Sequence, residues 1–277
     1  LMYGSDAVAG VISFFSHVPD HFNNKLHGNF ISEYHNNNNM IGNSLRLGYN
    51  NEKTFLGMSG SHRAAQNYRN SVDGRVYSTN FREINYSAVT GIKSDKGHTH
   101  LSFTLYDNKQ GIPDGSRDPI TRQFTKQIYD ENDIMEERPL VTDRELKSYR
   151  IPDIHTRLQH YRVYLNSFYE LPNGDITTNL AWQHNIRREF GNPEDTDEAA
   201  MFMVLNTYNY DVRYNAPTIK SINLDLTAGI NGMWQTNRIK DATEIPIPDY
   251  DLFDFGTFIY GKWKKNRWTI NGGLRYD

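Results

Sequence analysis

The residues able to do chemistry in this chain are scattered, and few are spaced as a site. His98 and His100 stand two apart, so on a strand both imidazoles share a face; His155 and His160 follow further on. Imidazole ligates iron, haem or zinc, yet no carboxylate spacing completes a set around these four, and cysteine is absent altogether. The run Asp130-Glu131-Asn132-Asp133 offers oxygen donors of the kind calcium takes, but without the glycine-bearing spacing of a calcium loop. No metal and no cofactor is assigned. Neither a Gly-x-Ser-x-Gly elbow nor a His-Glu-x-x-His pair occurs, so nothing raises an enzyme above background. The opening LMYGSDAVAGVISFF holds a glycine-bracketed turn at Gly4 and Gly10, without the Gly-Lys-Ser/Thr ending of a phosphate loop. What remains is cationic and aromatic side chains in long polar stretches. Arg117, Arg122, Lys126, Arg138 and Arg144 lie between Gln110 and His155, and Tyr68 and Arg69 lie in an earlier polar stretch. Such cations grip anionic ligands through charge-assisted bonds, and they also serve as self-paired surface. The substrate-binding candidates are Tyr68, Arg69, Arg117, Arg122 and Arg138.

The elements that must position these residues have a period of two. In GHTHLSFTLYD, Leu101, Phe103 and Leu105 alternate with His100, Ser102 and Thr104. SINLDLTAGIN sets Ile222, Leu224, Leu226, Ala228 and Ile230 against Asn223, Asp225, Thr227 and Asn231, and RWTINGGLRY sets Trp268, Ile270 and Leu274 against Thr269, Asn271 and Arg275. This is the pattern of strands apolar on one face, and about eleven such segments follow Leu26. Most run to about ten residues, against roughly five or six for a soluble strand and nine to eleven for a bilayer crossing.

Composition agrees with that reading. Mean hydropathy is -0.73, and no apolar run is long enough for a transmembrane helix. A barrel shows lipid only one face of each strand, so low hydropathy does not count against it. Aromatic residues make up 13% of 277, with 18 tyrosines, while hydrophobic residues make up only 37%. Amphipathic rings in that proportion suit a membrane interface or a binding groove. A net charge of -3 gives no reason to propose nucleic acid.

Connections alternate in length. Short ones fall at Asn51–Lys53, Ser94–Gly97, Pro172–Asp175, Ala216–Lys220 and Lys264–Arg267, and long ones near Ala65–Asn80, Gln110–His155, Glu189–Met201 and Asn237–Leu252. Outer-membrane barrels have one trimmed end and one elaborated end. The short connection Asn36–Asn39 fits less well, because it falls at the long end. Trp263 with Trp268, and Tyr49 with Phe55, bracket short turns and are read as cross-strand aromatics of an interfacial girdle. A soluble β-sandwich is the competing reading. The strand lengths, the loop parity and the strongly polar second face favour the membrane barrel.

With a barrel in view, Tyr3-Gly4-Ser5-Asp6-Ala7-Val8-Ala9-Gly10-Val11-Ile12 resembles the end of the plug domain in TonB-dependent outer-membrane receptors. LYDNKQGIPDGSRDPITRQFTKQI, HYRVYLNSFYELPNGDI, WQHNIRREFGNPED and GGLRYD resemble barrel segments of such receptors from Bacteroides-type bacteria. The resemblance implies an all-β antiparallel transmembrane barrel, with residues 1–20 as the plug tail. Residues 21–277 would then be the N-terminal half of a wall that has about 22 strands in that family. Leu1 is read as no natural beginning, and Asp277 is not the terminal aromatic of such barrels, so a fragment at both ends is expected. Eleven strands leave two unpaired edges, hence an open half-barrel. The resemblance further implies active uptake of a scarce, bulky nutrient across the outer membrane of a Gram-negative bacterium. The ligand expected is a ferric siderophore or other iron chelate, with cobalamin or haem as variants, and the energy comes through the TonB–ExbB–ExbD complex. A barrel for adhesion or passive diffusion is the alternative. Whether a surface lipoprotein sits on the barrel is left open.

Overall fold

The computed structural model describes residues 25–128, 138–192 and 195–277. The plug-tail assignment to residues 1–20 and the acidic run at 130–133 lie outside the described residues. Eleven antiparallel strands form a single sheet, each paired with its neighbours in sequence. They are β1 (Leu26–His35), β2 (Met40–Asn50), β3 (Thr54–Ala65), β6 (Phe81–Ser94), β7 (Gly97–Gly111), β8 (His155–Leu171), β9 (Gly174–Phe190), β10 (Met201–Asn215), β11 (Leu224–Ile239), β12 (Tyr250–Lys265) and β13 (Trp268–Tyr276). A two-residue ribbon, β4 (Arg69–Asn70) with β5 (Gly74–Arg75), lies in the loop after β3, and a helical turn, α1 (Asp143–Leu146), lies in the loop after β7. Among the described residues β1 pairs only with β2 and β13 only with β12, so the sheet is open. Among the described residues no helix is long and apolar enough to cross a membrane.

The register sorts side chains into two faces across all eleven strands. On β6 to β10 one face reads Tyr86, Leu105, Tyr161 and His184, then Ala88, Phe103, Val163, Trp182 and Tyr208, then Thr90, Leu101, Leu165, Leu180 and Tyr210. Two steps further toward the short turns the same face ends in Tyr169, Ile176 and Tyr214. From Tyr161 to Tyr169 is eight residues, about 27 Å of strand, or about 21 Å of height at a tilt of about 40°. Rings therefore rim an apolar band of bilayer dimensions. Leu101, Phe103, Leu180, Tyr208, Ile230 and Trp234 of this band are exposed, which no soluble sandwich tolerates over a whole sheet. The other face carries His98, His100, Arg162, Asn166, Asn179, Asn209, Asp211 and Arg213, joined by bonds such as Tyr164–Asn179 at 2.6 Å and Asn166–Asn179 at 2.7 Å.

Several details depart from the sequence reading. Tyr49 lies on the apolar face, but Phe55 pairs with Asn50 on the polar face, 2% exposed beside His100 and under the Lys93 ammonium. One residue of parity separates the two rings, so they form no girdle pair. Trp263 and Trp268 share the apolar face but sit diagonally, Trp263 opposite Ile270 and Trp268 opposite Lys265. The two-residue turn, with Asn266 at φ 53°, is tighter than a direct pairing allows. Ile222 falls in the connection before β11, which runs to Asn223 at φ 53°.

Strands β6 to β12 run 14 to 17 residues, longer than a crossing needs. The surplus projects past the band toward the long loops. There the buried side chains gather, among them Ala65, Phe124, Val141, Ala199 and Met201. The short Asn36–Asn39 turn finds its explanation here. Its main-chain carbonyls are capped by neighbouring loops: Asn36 and Asn37 by Arg69, Asn38 by the Gln66 amide, and Asn39 by the Tyr149 hydroxyl. A longer loop would displace the two that cover it.

Candidate functional site

Three long connections meet over the projecting strand ends: 66–80, 112–154 and 191–200. The first two are held by bonds that their own residues make. In the first, Asn67 is 1% exposed. Its side-chain oxygen accepts from the Thr79 amide at 2.8 Å, and its amide group donates to the Leu146 carbonyl at 3.1 Å. Asn80, also 1% exposed, donates to the Arg150 carbonyl at 2.6 Å. Two asparagines thus clamp the loop after β3 to the loop after β7. In the second loop, Thr142 and Glu145 form a capping box around α1, and Glu145 also takes the Lys126 ammonium. The Ile112 amide donates to the Ile154 carbonyl, closing the loop at its base.

Between these loops lies a cleft of about 680 Å³. Its walls include Tyr77, Ser78 and Asn80 from the first loop, Lys126 and Arg150 from the second, and Thr196 from the third. Its charges are matched internally: Lys126 with Glu145, Arg150 with Asp153 at 3.6 Å, and Asp114 with Arg138. Glu145 is held below the usual carboxylate range; burial opposes this, and bonds from Lys126 and Thr142 outweigh burial. Burial pushes the Tyr77 phenol up to about 12, helped by Glu145, Asp153 and Asp114. The hydroxyl is therefore a neutral donor at physiological pH. Most informative are two orphans. Ser78 Oγ and Asn80 Oδ1 are fully buried without a hydrogen-bond partner among the described residues, and Ser78 itself is held at φ 63°. Buried polar groups are nearly always satisfied, so the lining here holds hydrogen-bonding capacity that the described residues do not use.

None of the five sequence candidates lines the cleft. Arg117 bonds Asp73 at 2.7 Å, bridging the long loop to the turn of the β4–β5 ribbon, and stacks over Phe124 at 3.8 Å. Arg138 pairs with Asp114. Arg69 is spent on the Asn36 and Asn37 carbonyls. Tyr68 is exposed at 42%. Arg122 is exposed with its backbone at φ 62°, and its side chain makes no hydrogen bond or ion pair with described residues. The histidines do not converge either. His98 and His100 stack on the polar face, 5.9 Å apart, whereas His155 and His160 have opposite parity and so face opposite ways. Among the described residues no three metal-ligating side chains cluster. Sequence reasoning missed Tyr77, Ser78 and Asn80 because it weighed charge, and the cleft's unused capacity is neutral.

No protein-family model and no curated protein matches the chain. Solved structures do. The siderophore receptor PirA from Pseudomonas aeruginosa is similar at TM-score 0.59 and 10% identity over 92% of this chain and 38% of the receptor chain. The ferric enterobactin receptor PfeA of the same bacterium is similar at TM-score 0.61 and 11% identity, over 92% and 40%. The copper transporter OprC is similar at TM-score 0.58 and 12% identity, over 94% and 38%. The fold is that of part of a TonB-dependent receptor barrel. The chain spans about 40% of the length of PfeA, and at such identity the likeness speaks for the fold alone.

Proposed function

We propose that this chain is a section of an outer-membrane active transporter, energised through TonB, that captures an iron chelate at its long-loop end. Residues 21–277 would form the first half of the wall, and residues 1–20 the tail of a plug, in a receptor of the Bacteroides type. The TonB–ExbB–ExbD complex would act through a part of the receptor beyond this chain, by strand addition, and outer-membrane lipid would surround the apolar band. The carrying observation is the cleft with buried, unpartnered Ser78 Oγ and Asn80 Oδ1 beside the neutral Tyr77 hydroxyl. A chelate brings its own metal ligands and presents oxygens to the receptor, so it needs hydrogen-bonding walls and exchangeable cations rather than a metal cage. Lys126 and Arg150, paired with Glu145 and Asp153, are placed to turn to such oxygens. Tyr68, Arg69, Arg117, Arg122 and Arg138 belong to the outer rim in this reading, where Tyr68 and Arg122, whose side chains bond to no described residue, make first contact.

The test is uptake of labelled ferric siderophores by cells whose gene is disrupted, with and without a working TonB. Loss of uptake in both mutants supports the proposal; uptake that survives gene loss or TonB loss sinks energised iron transport. Within the restored gene, Ser78→Ala should weaken chelate binding by roughly twofold to tenfold, the worth of one net hydrogen bond, while leaving folding unchanged because no bond to a described residue is lost.

A further inference from the structure

On the apolar face, just beyond the upper aromatic row, four cations stand side by side on four consecutive strands. Arg82 of β6 pairs in register with Lys109 of β7, Lys109 with Arg157 of β8, and Arg157 with Arg188 of β9. Like charges directly opposite in a sheet repel, so a row of four has to be compensated. The protein supplies little. Asp107 takes Arg157 through two bonds, at 2.6 and 3.1 Å. Arg188 donates to the neutral Gln159 at 3.3 Å and lies 4.4 Å over the Phe202 ring. Asp153, the other carboxylate in electrostatic reach of Lys109, is engaged by Arg150. The side chains of Arg82 and Lys109 make no hydrogen bond or ion pair with the described residues. Among the described residues the patch holds four cations and one carboxylate on the same face, a net +3.

The position of the row identifies the counterion. It lies two steps, or four residues, above Tyr86, Leu105 and Tyr161, the ring-bearing top of the apolar band. That is about 13 Å of strand, and about 10 Å of height after tilt. The headgroup layer extends about 5 to 8 Å beyond the hydrocarbon on each side, so the row stands at its outer edge, with Phe202 and Ile186 beside it on the same face. Arginine forks match phosphate oxygens bidentately. We propose that Arg82, Lys109, Arg157 and Arg188 form a docking surface for a phosphate-bearing lipid headgroup of the outer leaflet. The inference rests on the membrane-spanning reading of the apolar face.

The test uses the full-length protein purified in mild detergent, inserted into phosphatidylcholine vesicles with or without bis-phosphorylated lipid A. Flotation with lipid-A-free vesicles checks the spanning reading by itself, and a protein that fails to float overturns both readings. For a protein that floats, bound lipid A is measured by native mass spectrometry after extraction. The double variant R82Q/K109Q, which breaks no side-chain bond to a described residue, should lose lipid A binding by roughly thirtyfold, the worth of two near-surface cations. Arg238→Gln, on the same face but paired with Asp251 outside the row, should bind as wild type. Equal binding by R82Q/K109Q, equal binding of dephosphorylated lipid, or full displacement by millimolar inorganic phosphate would each overturn the headgroup assignment while leaving the barrel intact.

Discussion

Leu180 offers a direct trial of which solvent the apolar face meets. It lies at the centre of the band, four residues below His184 and four above Ile176 on β9, and it is 44% exposed. In water, a charge at so exposed a sheet position changes stability by no more than about 0.5 kcal/mol. In hydrocarbon, an arginine at the midplane costs about 2 to 4 kcal/mol, and the cost falls to about 0 to 1 near the interface. Ile186 points to the same face two residues beyond His184, outside the band. The prediction is therefore a difference. Leu180→Arg should destabilise the full-length protein by about 2 to 3 kcal/mol more than Ile186→Arg does, the gap between midplane and interface. Urea unfolding in vesicles, followed by tryptophan fluorescence, measures both. Equal costs below about 0.5 kcal/mol would mean that the face meets water or another protein surface, and the barrel reading would fail with them.

Two further outcomes follow from the loops. Asn67→Ala removes the clamp between the loops after β3 and β7 and leaves the Leu146 carbonyl and Thr79 amide unpaired, a local cost of about 1 to 3 kcal/mol. Limited proteolysis within 112–128 should speed up while the unfolding of the sheet stays put; unchanged cleavage would show that the loop is held elsewhere. Glu145 has a folded pKa below its ordinary value of 4.5. Its bonds therefore stabilise the loop above that value, and this stabilisation is lost as pH falls through the lower, folded value. The protection factors of amides 142–147, exchange rates divided by the pH-dependent intrinsic rate, should be flat from neutral to about pH 5 and fall only below it. In Glu145→Gln the acid step should vanish, and an identical step there would assign it to another carboxylate.

The strands were legible because period two is written directly in residue order: Leu101, Phe103 and Leu105 alternate with polar neighbours, and the register keeps them on one face. All eleven segments and the alternation of short and long connections follow from that alone. Girdle pairs were not legible, because Phe55 and Tyr49 differ by one in parity across a turn, and parity there depends on turn geometry that no alternation encodes. The cleft was less legible still. Arg117, Arg138 and Arg69 drew attention as cations, but a surface cation is informative only once its partners are known, and Asp73, Asp114 and the Asn36 carbonyl are 44, 24 and 33 residues away in sequence.

The same point separates the two kinds of cation in this molecule. Arg117, Lys126, Arg138 and Arg150 in the long loops met carboxylates because flexible connections can fold until opposite charges find each other. Strand cations have no such freedom: Arg82, Lys109, Arg157 and Arg188 are fixed by hydrogen-bonded register, one per strand at the same height. Repulsion along that row cannot be relieved by rearranging the backbone without moving every residue of a strand to the opposite face. A charge pattern that the fold cannot relax internally is therefore the better guide to an external partner. By that criterion the sheet's cationic row points outward more strongly than any loop arginine, while the cleft points to its ligand through neutral atoms, Ser78 Oγ and Asn80 Oδ1, that the loops left unused.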